Sequence, residues 1–175
     1  MGKKLVILFG LLVVVIWLTM GNTDRNQEVL VIPEVNYKAP AFTLPALYGQ
    51  EVSLEQYKGK PVFINFWASW CPPCRMETPD LTTLYEKYKN RIGFIGVNVT
   101  AQDDLENVND FVNEFHVTFP IALDHSGEVS KQYKIIAMPT SYIVDKNGVI
   151  VFKKTGVVTK PEIEQVLERI LKGEE

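Results

Sequence analysis

The sequence predicts an α/β fold in which one mixed β-sheet is flanked by helices on both faces. Two runs that are apolar almost throughout, residues 61–66 and 92–99, read as strands covered on both sides. Each leads into a stretch of helical periodicity. Near the C-terminus, Ser141-Tyr142-Ile143-Val144 and Val149-Ile150-Val151-Phe152 flank Asp145-Lys146-Asn147-Gly148, a strong signal for an antiparallel hairpin. The order β-α-β-α, hairpin, helix puts parallel and antiparallel strands into one layered domain.

The chain has 175 residues and a net charge of -3, enough for one domain with an appendage and without the basic balance of a nucleic-acid-binding protein. The appendage is N-terminal. Met1-Gly2-Lys3-Lys4 is a basic head, and Leu5 to Met20 is uncharged and broken only by Gly10 and Thr19. As a helix this run is slightly short for a hydrocarbon core of about 30 Å. Snorkelling Lys3 and Lys4 and an interfacial Trp17 can close the gap. The following Leu18-Thr19-Met20-Gly21 is not an A-x-A-like cleavage site, so the flanks favour an uncleaved anchor over a signal peptide. Residues 1–21 are therefore expected to be a signal-anchor transmembrane helix, residues 22–37 a tether and residues 38–175 the folded domain. The basic head would stay cytoplasmic and the domain would lie on the extracytoplasmic side of the cell membrane, where disulfides persist. Within the tether, Val29-Leu30-Val31-Ile32 fits either a short strand or an arm lying on the domain.

Along the domain, Ala41-Phe42-Thr43-Leu44 and Glu51-Val52-Ser53 read as two short strands, and Ser53 to Tyr57 as a brief helix capped by Ser53 and ended by Gly59. A helix is expected from about Pro73 to Lys89, with Cys74, Glu77, Leu81, Leu84, Tyr85 and Tyr88 along one stripe. Ala101-Gln102-Asp103-Asp104 leads into a second helix whose inner face would be Leu105, Val108, Phe111, Val112 and Phe115. Phe119 to Ala122 suggests another short strand, and Glu128 to Tyr133 a short helix. Thr159-Lys160-Pro161-Glu162 is a capping box that opens the last helix, with Ile163, Val166, Leu167, Ile170 and Leu171 facing inward.

The chemistry centres on Trp70-Cys71-Pro72-Pro73-Cys74, which holds both cysteines of the chain. Two cysteines are too few for a disulfide scaffold, and a bridge closing so short a loop restrains the unfolded chain little. Between a strand and a helix, however, this spacing puts the first sulfur at a helix N-terminus, where free N–H groups and the helix dipole favour thiolate. The thiolate attacks disulfides and the second cysteine resolves the mixed disulfide. Pro73 suits the first helical turn. Pro72 and Pro73 add no charge and no side-chain donor, so Cys71 is expected to be only mildly acidic and the pair reducing. Glu77, one turn from Cys74 on an otherwise apolar stripe, is expected to be desolvated with a raised pKa. It could then take the proton of Cys74 as a general base.

The segment Phe66-Trp67-Ala68-Ser69-Trp70-Cys71-Pro72-Pro73-Cys74, together with Pro79, the triplet Met138-Pro139-Thr140 and the closing hairpin and helix, resembles the thioredoxin fold. More narrowly it is similar to the membrane-anchored TlpA/ResA-like thiol–disulfide oxidoreductases, over roughly residues 38–172. Lys38-Ala39-Pro40-Ala41-Phe42-Thr43-Leu44 is similar to an N-terminal β extension shared with peroxiredoxins. The resemblance implies a redox disulfide between Cys71 and Cys74, with Cys71 as exposed nucleophile and Cys74 as shielded resolving thiol. It implies a substrate surface formed by Trp70, Pro72, Met138, Pro139 and Thr140, with a cis peptide before Pro139, and it implies no cofactor or metal. Thioredoxins proper carry a buried Asp where this chain has Asn65, which moves the acid–base role to Glu77. Exported proteins with reducible disulfides would be the partners, among them the C-x-x-C-H site of apocytochrome c (cytochrome c-type biogenesis) or a spore-envelope client. A membrane thiol donor fed by cytoplasmic thioredoxin would return the electrons.

Two rival functions on the same fold fit less well. A peroxiredoxin-like thiol peroxidase places Thr three residues before its reactive cysteine, where this chain has Ala68. A copper or other metal-binding chaperone would need His116 and His125 beside the cysteines, and their spacing does not match H-x₃₋₅-H.

Overall fold

The computed structural model describes residues 31–173; the expected anchor and the first part of the tether lie outside them. Among the described residues no helix is long and apolar enough to cross a membrane.

A two-stranded antiparallel ribbon, β1 (Thr43–Pro45) and β2 (Glu51–Ser53), precedes the main sheet. The main sheet has the order β5-β4-β3-β6-β7, with β3 at Val62–Trp67, β4 at Gly93–Asn98, β5 at Ile121–Leu123, β6 at Thr140–Val144 and β7 at Ile150–Thr155. Strands β3, β4 and β5 run parallel, while β6 and β7 are antiparallel. Every residue of β3 and β4 is buried, as their continuous apolar runs require of strands covered on both faces.

The side chains divide by alternation. Phe63, Trp67, Phe94 and Ile143 pack beneath α1 (Pro72–Tyr88), α2 (Leu105–Glu114) and α4 (Lys160–Lys172). Ile64, Phe66, Ile95, Val97 and Tyr142 face the other way, onto α3 (Glu128–Gln132) and the β1–β2 ribbon. Leu105, expected on the inner face of α2, is instead 43% exposed. It is the first helical residue, one turn ahead of the packed Val108, and nothing of the core lies over it.

Residues 31–37 do not hang free as a tether. Val31 bridges Lys38, Asn36 N–H donates to the Ile150 carbonyl, and Lys153 pairs with Glu34 at 2.7 Å. Of the stretch Val29–Ile32, read as strand or arm, only Val31 and Ile32 lie among the described residues; the chain from Glu34 to Lys38 lies along the hairpin. Tyr133, inside the second core, fastens the following segment by donating its hydroxyl to the Pro40 carbonyl at 2.6 Å.

The topology fixes where chemistry can occur. The parallel strands β3 and β4 end at the same sheet edge, and antiparallel β6 begins there, with Thr140 opposite Phe66. Three loops therefore meet at one edge: the C-x-x-C segment after β3, the 3₁₀ turn Thr100–Gln102 after β4, and the Met138-Pro139 loop before β6.

Candidate active site

Cys71 is the N-cap of α1 and adopts extended backbone angles. Its sulfur accepts the Cys74 N–H at 3.2 Å, one of the donors that every helix leaves free in its first turn. Pro72 and Pro73 occupy the first helical positions, where no N–H is needed. The two cysteines form a disulfide with Cα atoms 5.3 Å apart. Pro79 lies inside the helix, and Thr78 offers its hydroxyl to the Cys74 carbonyl at 2.7 Å.

Cys71 is not the exposed sulfur expected of the nucleophile. It is 2% exposed and Cys74 1%. Cys74 sits on the inner stripe of α1, Cys71 is bonded to it, and the oxidised pair is part of the core. Trp70, by contrast, is 56% exposed and is held only at its edge, where the indole N–H donates to the Gln102 carbonyl at 2.7 Å. It is a surface aromatic beside the disulfide. Met76 and Ile136 are also largely exposed, and Ile136 belongs to the loop that carries Met138. The Met138-Pro139 peptide is cis, as the resemblance implies, and Thr140 donates its hydroxyl to the Ala137 carbonyl.

Glu77 is 2% exposed. Its oxygens accept hydrogen bonds from Asn65 Nδ2 and from the Val158 N–H, each at 2.8 Å. Asn65 Nδ2 also donates to Ser141 Oγ at 2.9 Å, so β3, β6, α1 and the segment before α4 meet at one carboxyl. Burial pushes the Glu77 carboxyl up to about 7, against the opposing pull of the Val158 and Asn65 hydrogen bonds and of Lys154. Asn65 and Val158 were not expected in this role. The apolar setting of Asn65 is visible in the sequence, but Val158 contributes only its backbone and leaves no side-chain signal. Arg75, the cation nearest in sequence to the cysteines, is turned away: it pairs with Glu114 at 2.5 Å and lies over the rings of Phe111 and Phe115. Among the described residues no three His, Cys, Asp or Glu side chains gather as metal ligands.

Residues 34–167 match the Redoxin family model. The chain belongs to the Redoxin family. Within this family it is 36% identical, over 87% of its length and 86% of the relative's, to the thiol-disulfide oxidoreductase ResA of Bacillus cereus. It is 38% identical to the thioredoxin-like protein YneN of Bacillus subtilis, over 84% and 85% of the two chains. Among solved structures it resembles StoA from Bacillus subtilis, with a TM-score of 0.64 and 32% identity over 72% of this chain and 95% of that one. A thiol:disulfide interchange protein of Chlorobium tepidum aligns with a TM-score of 0.70 and 26% identity, over 77% and 95% of the chains. With the Cys71–Cys74 disulfide at a helix N-terminus, this redoxin is a thiol–disulfide oxidoreductase of the ResA/StoA type.

The raised Glu77 pKa has a stability consequence. A carboxyl that titrates at about 7 when folded, against an ordinary value of 4.5, favours the folded state while protonated. That stabilisation is complete below about pH 4.5 and is lost as the pH rises through about 7. Denaturant unfolding of the oxidised protein should therefore weaken across this window relative to Glu77→Gln, by on the order of 3 kcal/mol. A stability difference that stays constant with pH would contradict the assignment.

Proposed function

We propose that this redoxin is a membrane-tethered, extracytoplasmic reductase of exported protein disulfides. The observation that carries the reading is the Cys71–Cys74 disulfide at the N-terminus of α1, with prolines and no charged side chain between the two cysteines. Strongly oxidising dithiols owe their potential to a stabilised thiolate. Here the intervening residues are prolines and Arg75 is engaged with Glu114.

In the reduced enzyme, the Cys71 thiolate attacks one sulfur of the client disulfide and expels the other as thiolate. Glu77, as carboxylate, takes the proton of Cys74. The Cys74 thiolate then attacks the Cys71 sulfur, the enzyme disulfide forms, and the second client thiolate leaves. Two electrons have passed to the client, whose thiolates take up protons. Met138, next to the cis proline, offers its backbone to an extended client segment, and Trp70 and Pro72 flank it; Thr140, expected on this surface, is 2% exposed and instead supports the loop from beneath through the Ala137 carbonyl. Donation of two electrons by a membrane thiol protein, fed by cytoplasmic thioredoxin, would restore the dithiol. The uncharged run after Lys3 and Lys4 supports tethering through residues 1–21. A C-x-x-C-H haem-attachment site of an apocytochrome c or a spore-envelope protein is the class of client that this reading favours.

The direction is tested by equilibrating the domain with dithiol–disulfide buffers. The expected potential lies near the thioredoxin value of about −270 mV, and one near about −120 mV would reverse the assignment. The client is identified with Cys74→Ala in the full-length protein, which should accumulate mixed disulfides on Cys71 with exported proteins. If the captured proteins carry no C-x-x-C-H site and take no part in the spore envelope, the client class falls.

A further inference from the structure

One carboxylate at the active-site edge has more partners than its local structure needs. Asp103 follows the 3₁₀ turn Thr100–Gln102 and precedes α2. The N-cap of α2 is its neighbour, Asp104, whose side chain accepts the Glu106 N–H at 2.8 Å. Asp103 is therefore not required to start that helix. Its carboxylate turns back toward the C-x-x-C segment. Oδ2 accepts the Ser69 N–H at 2.6 Å and Asn98 Nδ2 at 2.7 Å, while Oδ1 accepts the Ser69 hydroxyl at 2.5 Å and the Asp104 N–H at 2.9 Å.

The donors are ones that water cannot readily serve. Ser69 is 7% exposed and Asn98 is fully buried. Asn98 is itself locked, since its side-chain oxygen accepts the Thr100 hydroxyl at 2.9 Å. The parallel ladder between β3 and β4 ends at Trp67, whose carbonyl accepts the Val99 N–H. Beyond that point Ala68 is packed into the core, and the hydrogen bonds that tie Ser69 and Trp70 to the rest of the fold go to this turn. Asp103 takes both donors of Ser69, and the carbonyl of Gln102, next to it in the chain, takes the indole N–H of Trp70. Ser69 and Trp70 are the two residues immediately before Cys71.

We propose that Asp103 is a positioning residue for thiol–disulfide exchange: its carboxylate, with the turn it closes, fixes Ser69 and Trp70 so that Cys71 meets a protein disulfide in one geometry. It does not touch the reacting sulfurs. A macromolecular disulfide must approach over Trp70 with its backbone against Met138, and three sulfurs must line up for the displacement. That alignment is lost if Ser69 and Trp70 wander. A small, unhindered disulfide can find its own approach and needs no such surface. The inference rests on the exchange reaction and on the client surface proposed above at Trp70 and Met138, not on the direction of electron flow or the physiological client.

The test compares two substrates with the reduced wild-type protein, Asp103→Ala and Asp103→Asn. For insulin, Asp103→Ala should lose about tenfold in kcat/KM, the scale of one lost hydrogen bond to a charged group, with KM carrying most of the loss. Toward 5,5′-dithiobis(2-nitrobenzoate), a small disulfide, it should stay close to wild type. Asp103→Asn keeps one oxygen, which the Ser69 N–H can still reach, and should fall between. If Asp103→Ala does not fold, the same comparison is made on Asp103→Asn. Equal losses toward both substrates, or no loss toward insulin, would overturn the assignment.

Discussion

The site depends on a carboxyl kept inside the core. Glu77 occupies a position on α1 that packs against the sheet, where an apolar side chain would ordinarily stand. Burying a carboxyl costs free energy unless hydrogen bonds offset it, and here Asn65 and the Val158 N–H supply them. The amide at position 65 is what makes the arrangement workable. It donates to Glu77 and, from the same nitrogen, to Ser141. An aspartate at that position would set a second buried carboxyl against the first, and like charges at short range cannot both ionise readily. With Asn65 as donor, Glu77 is the one carboxyl where β3, β6 and α1 meet, one turn from Cys74 and able to titrate near neutrality.

Around that group the fold assembles an edge rather than a cavity. Parallel β3 and β4 deliver the cysteine loop and the Thr100–Gln102 turn to the same side as the start of β6. The closed disulfide is buried there while Trp70, Met76 and Ile136 remain exposed. The apolar surface of this edge is thus formed by Trp70, Met76 and Ile136 and not by the sulfurs themselves.

Much of this could be read from the sequence, and the exceptions share a cause. The hairpin, the α1 stripe and the α4 capping box are local signals, set by period and turn chemistry within a few residues. Glu77 was legible because a charged residue interrupts an apolar stripe. The burial of Cys71 was not, because it belongs to a core cluster that gathers residues from β3, α2, β6 and the segment before α4, distant in sequence. Leu105 fits the period of α2 yet lies outside the packed stretch, since periodicity marks a face and not where the sheet beneath it ends. The contacts of Asn65 and Asp103 span strands and loops distant in sequence, and the Val158 N–H leaves no trace in residue identity. An adjacent pair of aspartates before a helix was the available hint for Asp103, as only one of them can be the cap.

We propose a base role for Glu77 toward the resolving thiol one turn away. It is tested most directly by following the thiolate absorbance of Cys74 against pH in Cys71→Ala, with Glu77 present and with Glu77→Gln. Once ionised, Glu77 opposes a second buried negative charge, so Cys74 is expected to titrate at higher pH when Glu77 is present and at lower pH in the glutamine variant. Superimposable titration curves would contradict the account.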